Sequence, residues 1–223
     1  MSNFKNDLRE QLQESVKLLY SGDFISGEIT DSGFYCDFDM TEPVTPDKVD
    51  AIAEWLSGRS MEMIRQLDPS AFSLAAGVIR VSYATVAEDL GLTEENCPKY
   101  VGFITTAERL QTQYNWGWWI YGLYDGDQIV GYVSISKQDD GAYEIHNLAV
   151  LPEHRHKGYG KQFLDFCVVK VRELGGSKIN ISIVEENTVL KNWYLEYGFV
   201  HTGTKKFDHL PFTSGYMELD VTL

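Results

Sequence analysis

The sequence predicts an α/β (α+β) fold: a mixed, mostly antiparallel sheet with helices on both faces, preceded by a small α-β-β-α appendage. Three observations carry that expectation. Between residues 118 and 150, apolar runs of strand length are separated by tight Asp/Gly turns, the pattern of a meander. From residue 143 onward such runs alternate with helix-length amphipathic segments, the grammar of strands joined by crossover helices. Between one of those strands and the helix after it stands a cationic, glycine-bearing loop, HRHKGYG, in a chain whose formal net charge is −14.

The first elements follow from local chemistry. Residues 4–20 place Leu8, Leu12, Val16 and Leu19 at helical spacing, which predicts an amphipathic helix. In FISGEITDSGFYCDFDM, Ser32 and Gly33 separate two β-rich runs and predict a hairpin. Thr45 before Pro46 is the pair expected at an N-cap and first helical turn; the helix it opens carries Val49, Ile52, Ala53 and Leu56, and Gly58 ends or interrupts it. Asp68-Pro69-Ser70 then breaks the pattern. The expected division is an appendage over residues 1–75 and a larger domain over 76–223.

In the larger part, the β-branched and aromatic run GVIRVSY predicts a strand over Val78–Tyr83, followed by helical pieces over 84–90 and about 105–114. Strands are expected at WWIYGLY, IVGYVSIS and YEIHNLAV, turning at Asp125-Gly126-Asp127 and Asp139-Asp140-Gly141. A helix from about Gly158 to Leu174, the strand KINISIV, a helix over Thr188–Tyr197 and two strands around Phe199–Lys205 and Gly215–Val221 complete the order.

Composition narrows the function classes. The net charge of −14 disfavours binding to nucleic-acid phosphates and favours cationic small molecules or basic peptides. Cys36, Cys97 and Cys167 form no CxxC pair, so neither a disulfide framework nor a metal cluster is expected. With no apolar run suited to a signal peptide or a membrane span, a cytoplasmic protein is expected.

The cationic loop is tested first against known phosphate motifs. A Walker A loop needs glycine where Arg155 stands and Ser or Thr where Gln162 stands; a dinucleotide fingerprint needs its third glycine where Phe163 stands. What remains is R-x-x-G-x-G, Arg155 to Gly160, at a helix entrance. The first amides of a helix lack internal partners and carry the positive end of its dipole, so they suit a phosphate. Side chains at Gly158 or Gly160 would obstruct that approach, and Arg155, Lys157 and Lys161 would add charge-assisted contacts, favouring a pyrophosphate. The competing account is a turn shaped by two glycines, with cations balancing an acidic surface.

LAVLPEHRHKGYGKQFLDF resembles the coenzyme-binding signature of the GNAT superfamily of acyl-CoA-dependent N-acyltransferases. NTVLKNWYLEYGF, Asn187 to Phe199, resembles the later motif of the same family, and the likeness spans roughly residues 78–222. The resemblance implies acetyl-CoA as acyl donor, with no metal. Its pyrophosphate would lie on the amides of His156, Lys157, Gly158, Tyr159, Gly160 and Lys161 beside Arg155, its pantetheine arm along Leu148, Ala149 and Val150, and Asn187 would also serve the coenzyme. An amide at that strand edge would polarise the thioester carbonyl.

Transfer to an alkylamine needs a base or a water relay, because the amine is protonated at neutral pH. Glu144 is the first choice and His146, on the same face of the strand, the second; either can equally be a structural residue. Tyr194 matches the family tyrosine that protonates the departing thiolate, against the alternative of a core aromatic. Cys167 is read as a small buried hydrophobe. By resemblance, Asn96–Trp116 and the loop KKFDHLPFTSG would wall the acceptor site, with Asp208 and His209 meeting a cationic amine and Trp116, Trp118 and Tyr121 stacking on it.

Residues 12–56 are similar to part of the editing-type domain of threonyl-tRNA synthetases, but the HxxxH pair of that family is missing, Asn6 and Glu10 standing at its expected positions. The likeness implies a docking or dimerising arm, so a homodimer is one expected state. Three functions are carried forward: an N-acetyltransferase acting on a primary amine, a non-catalytic acyl-CoA sensor, and an acetyltransferase associated with tRNA or a synthetase.

Overall fold

The structure, a computed structural model, describes residues 2–30, 33–40, 42–53 and 63–222. It divides into two compact units, Met1–Met63 and Ile64–Leu223. In the first, helix α1 (Ser2–Tyr20) precedes an antiparallel pair, β1 (Asp23–Thr30) and β2 (Gly33–Asp39), and a helix α2 over 46–53. Phe24 and Phe38 are partners in that pair and meet edge to face at 6.0 Å. The Thr45 carbonyl accepts the first two bonds of α2, from the Lys48 and Val49 amides, as expected of an N-cap. Ser32, Leu56 and Gly58 lie outside the described residues.

The second unit is built on a seven-stranded sheet, in the order β3-β4-β5-β6-β7-β9-β8. Its strands are β3 (Ile64–Gln66), β4 (Trp119–Asp125), β5 (Gln128–Lys137), β6 (Tyr143–Val150), β7 (Lys178–Val184), β8 (Val200–Lys206) and β9 (Thr213–Asp220). Every neighbouring pair is antiparallel except β6 and β7. Those two are joined by helix α6 (Tyr159–Glu173), the crossover that a parallel pair requires. Helices α4 (Val101–Ile104) and α5 (Ala107–Asn115) precede β4, and α7 (Thr188–Tyr197) follows β7.

One expected element changes type. The run read as a strand over Val78–Tyr83 is the middle of helix α3 (Phe72–Asp89). Phe72, Ala75, Ala76, Ile79 and Ser82 recur at spacings of three and four and are all buried, whereas Leu74 and Val81 face out. Helical periodicity over eighteen residues outweighs the weak β preference of Val, Ile and Tyr. By length and composition, Pro69–Asp89 is apolar enough to cross a membrane; here its buried stripe packs on β5 and β6.

The domain boundary moves for a related reason. Asp68 accepts the Ser70 amide at 2.9 Å and Pro69 occupies the first turn, so this punctuation starts a helix. Before it, β3 already pairs with β4. The compact units therefore part between Met63 and Ile64, and not at residue 75.

Helix α6 covers the face of the sheet opposite α3, with Phe163 against Gly131 of β5. A Cβ at Gly131 would stand 2.6 Å from Phe163 Cε2 and 3.1 Å from the Ala149 carbonyl. Gly131→Ala should therefore cost about 1–3 kcal/mol of stability through overpacking. Gly77 lies in the middle of α3 with nothing within 4 Å of a built Cβ, so Gly77→Ala should stabilise by about 0.5–1 kcal/mol. Urea unfolding of the two variants checks both, and a loss at Gly77 would contradict the helix assignment.

Candidate functional site

Strands β6 and β7 pair only at Tyr143 with Ile179 and Glu144 with Asn180. Past that point they separate. The register between β5 and β6 slips between Tyr132 and Ser134, and Asn147 opposite the slip takes a left-handed φ of 52°. Such a bulge bends the strand that carries it. Ala149 and Val150 then resume pairing with Tyr132 and Gly131 on the β5 side, while the β7 side of Leu148-Ala149-Val150 is left without a strand partner. Backbone groups there need a partner, and an extended amide-bearing ligand supplies one in the manner of an added strand.

The cationic loop sits at the end of this opening. A short 3-10 turn over Pro152–His154 leads to His156 and Gly158, both left-handed with φ of 61° and 81°, and α6 begins at Tyr159. Its first intrahelical bond runs from the Gln162 amide to the Gly158 carbonyl at 3.1 Å, so the amides before Gln162 have no acceptor inside the helix. His156 and Gly158 are exposed. A Cβ at Gly160 would lie 3.3 Å from the Trp193 indole, so this glycine also seats α6 against α7.

The cations divide. Arg155 turns inward: Nε donates to the Val150 carbonyl (3.1 Å), Nη1 to Thr85 Oγ1 (3.0 Å) and Nη2 to the Ser82 carbonyl (2.7 Å). It fastens the loop to α3 through three of its five N–H groups, a bracing role that the sequence did not suggest. Lys161 is exposed and pairs with Asp165 one turn on at 2.8 Å. Lys157 Nζ lies 3.5 Å from His154 Nδ1, and that imidazole stands 3.4 Å from Asp125 at the β4–β5 turn. Asn187 caps α7, its Oδ1 accepting the Leu190 amide at 3.1 Å.

Toward the start of β6, Glu144 and His146 share a face, His146 Nδ1 standing 3.8 Å from Glu144 Oε1. Gln138 Nε2 donates to Glu144 Oε2 (3.1 Å) and to Ser136 Oγ (3.0 Å), Ser182 Oγ donates to Glu144 Oε1 (3.4 Å), and Ser136 Oγ lies 2.8 Å from His146 Nε2. The Trp118 indole stacks on the imidazole with centroids 4.1 Å apart and planes at 14°. Burial raises the Glu144 pKa, partly offset by Ser182. It depresses that of His146 to about 4, because an imidazolium there would be poorly solvated.

Tyr194 is buried among Trp193 and Phe199, with ring centroids 4.9 and 5.3 Å away. Burial first, then the neighbouring Tyr83 and Cys167, raises its pKa well above that of a free phenol. The group keeps its proton across the neutral range and can act as a hydrogen-bond donor. Cys167 is wholly buried. Tyr121 lies on the other face of the sheet, 4.7 Å from Phe166 of α6, away from Glu144. Asp208 and His209 are exposed in the β8–β9 loop, whose Leu210 and Phe212 pack on the cluster of Ala87, Leu92, Cys97 and Tyr100. Among the described residues no group of His, Cys, Asp and Glu is arranged to hold a metal ion.

Sequence reasoning missed Ser136, Gln138 and Ser182. The signal for the first was present: in IVGYVSIS, Tyr132, Ser134 and Ser136 alternate with Val133 and Ile135, and both serines are buried, which marks a polar row on an inner face.

Two predictions follow from these contacts. Arg155→Ala removes three hydrogen bonds, leaving Thr85 Oγ1 and the Ser82 carbonyl to each other, and should cost about 2–4 kcal/mol, against well under 1 kcal/mol for Lys161→Ala, whose ion pair is exposed; thermal unfolding measures both. His146 binds its proton near pH 6.5 when unfolded and near pH 4 when folded, so its contribution to stability is present above 6.5 and is lost as pH falls toward 4. The loss at pH 5 is about 2 kcal/mol, and His146→Asn should remove that share of the difference between urea midpoints at pH 7 and pH 5.

Residues 90–199 match the model of the acetyltransferase (GNAT) family. No curated protein matches the sequence. Among solved structures, the chain is similar to the PaiA N-acetyltransferase from Thermoplasma acidophilum in complex with coenzyme A, with a TM-score of 0.61 and 18% identity over 70% of this chain and 97% of that one. It is also similar to the ribosomal-protein-S18-alanine N-acetyltransferase from Escherichia coli, with a TM-score of 0.57 and 13% identity over 72% and 94% of the two chains. The Salmonella typhimurium protein yncA, with acetyl-CoA as its cofactor, aligns with a TM-score of 0.51 and 18% identity over 71% and 93%. The open strand pair and the glycine loop at a helix start both fall within residues 90–199, the segment that matches the acetyltransferase (GNAT) family.

Proposed function

We propose that this protein transfers an acetyl group from acetyl-CoA to a primary amine by direct attack within a ternary complex. The observation that carries the proposal is the opening between β6 and β7, bounded at one end by the start of α6 and at the other by Glu144. The pyrophosphate is held by the amides from His156 to Lys161, with Lys157 and Lys161 nearby, and the pantetheine amides pair along Leu148-Ala149-Val150. That order along the strand brings the thioester toward Asn147, next to His146 and Glu144. Coenzyme complexes of the Thermoplasma and Salmonella structures support this choice of donor.

An alkylamine with a pKa near 10 is neutral in only about one molecule in a thousand at pH 7, so removal of its proton is a necessary step. Glu144 takes that proton. The neutral nitrogen then attacks the carbonyl carbon, the N–C bond forms, the nitrogen gives up its second proton to solvent as the C–S bond breaks, and the departing thiolate takes a proton from the Tyr194 hydroxyl or from solvent. A net charge of −14 draws cationic acceptors toward the site. The three cysteines are unpaired, which supports a reducing, cytoplasmic setting.

Thiol release from acetyl-CoA across a panel of amines tests the proposal. Amine-dependent release should appear, should fall about 10²–10⁴-fold in Glu144→Gln with coenzyme affinity retained, and should be lost in Gly160→Glu together with coenzyme binding. Tight coenzyme binding with no amine-dependent thiol would leave a sensor in place of an enzyme.

A further inference from the structure

The polar row beneath Trp118 has a determinate proton arrangement. Ionised Glu144 can only accept, so the side chain of Gln138 that meets its Oε2 at 3.1 Å must be the amide NH2. The same nitrogen lies 3.0 Å from Ser136 Oγ, so its second hydrogen is given to the serine. Ser136 Oγ has a second lone pair that could accept from an Nε2–H, but that tautomer would turn a bare Nδ1 toward the Glu144 carboxylate, so Ser136 directs its own hydrogen to His146 Nε2 at 2.8 Å. Nε2 is then the lone-pair nitrogen and Nδ1 carries the proton, facing Glu144 Oε1 at 3.8 Å, beyond hydrogen-bond distance. With the indole of Trp118 over the ring, the imidazole has no lone pair left to offer an acceptor.

We infer that Gln138 and Ser136 fix His146 as the neutral Nδ1–H tautomer and so leave Glu144 as the group that receives the acceptor's proton. Gln138 is a positioning residue. Its own place is set by the turn after β5, where its amide donates to the Ala142 carbonyl (2.8 Å) and its carbonyl accepts from Gly141 (3.0 Å). Among the ion pairs of the described residues, Glu144 is the charged neighbour of the imidazole; Ser136 from β5 and Trp118 ahead of β4 are its neutral ones. The tautomer stands on these contacts alone, whereas the role of Glu144 rests on the proposed acyl transfer.

In protein labelled with 15N at histidine, the NMR spectrum at pH 7 should show His146 protonated at Nδ1 and bare at Nε2. A proton at Nε2, or at both nitrogens, overturns the assignment whatever the enzyme does. Gln138→Leu should give a mixture of tautomers. By removing a donor to the carboxylate it should also raise the Glu144 pKa and move the acid limb of kcat/KM upward by about one pH unit, with coenzyme affinity unchanged. Ser136→Thr keeps the hydroxyl and should retain the wild-type tautomer and profile, while Ser136→Ala should lose the tautomer. A mixed tautomer with an unmoved acid limb would remove the catalytic half of the inference.

Discussion

The site depends on a failure of strand pairing that the fold enforces. Two parallel strands that pair at only two positions leave a row of backbone donors and acceptors facing an opening, and such groups are costly when no partner is found. The divergence is held open from several directions. The bulge at Asn147 bends β6, Gly131 lets Phe163 press against β5, and Arg155 fastens the following loop to α3 through three hydrogen bonds. Arg155 thus braces the loop from within and Tyr159 is buried as well, while His156 and Gly158 are exposed.

Beyond the opening, electrostatics follows from burial. The same enclosure that makes imidazolium unfavourable at His146 makes carboxylate less favourable at Glu144, and the two shifts run in opposite directions. A histidine that resists protonation and a carboxylate readier to take a proton are what a site needs when it must collect one proton from an ammonium ion. The glutamine and serines around them engage both oxygens of the carboxylate and one nitrogen of the imidazole, so the arrangement is set before any substrate arrives.

Much of this was legible in the residues. The glycine loop, the crossover helix after it, α7 and the common face of Glu144 and His146 were all visible as spacing or alternation, because each is a local pattern. What escaped was decided by contacts distant in sequence. Val78–Tyr83 carries strand-like residues, yet burial at helical intervals over Phe72–Asp89 settles its form. The bracing role of Arg155 was hidden because the partners that hold it, Ser82 and Thr85, lie about seventy residues earlier. Gln138 sits in a turn whose composition signals only a turn, and its role appears once Ser136 and Glu144 are brought opposite each other in register.

The central claim is that coenzyme A binds along the unpaired edge of β6 and on the start of α6. Titrating 15N-labelled protein with coenzyme A and following backbone amide resonances tests it most directly. The account predicts that shifts concentrate at residues 148–150 and 156–161, with little change on β8 and β9. Saturable binding that leaves those two segments unmoved, or that shifts a different face of the sheet, would contradict it.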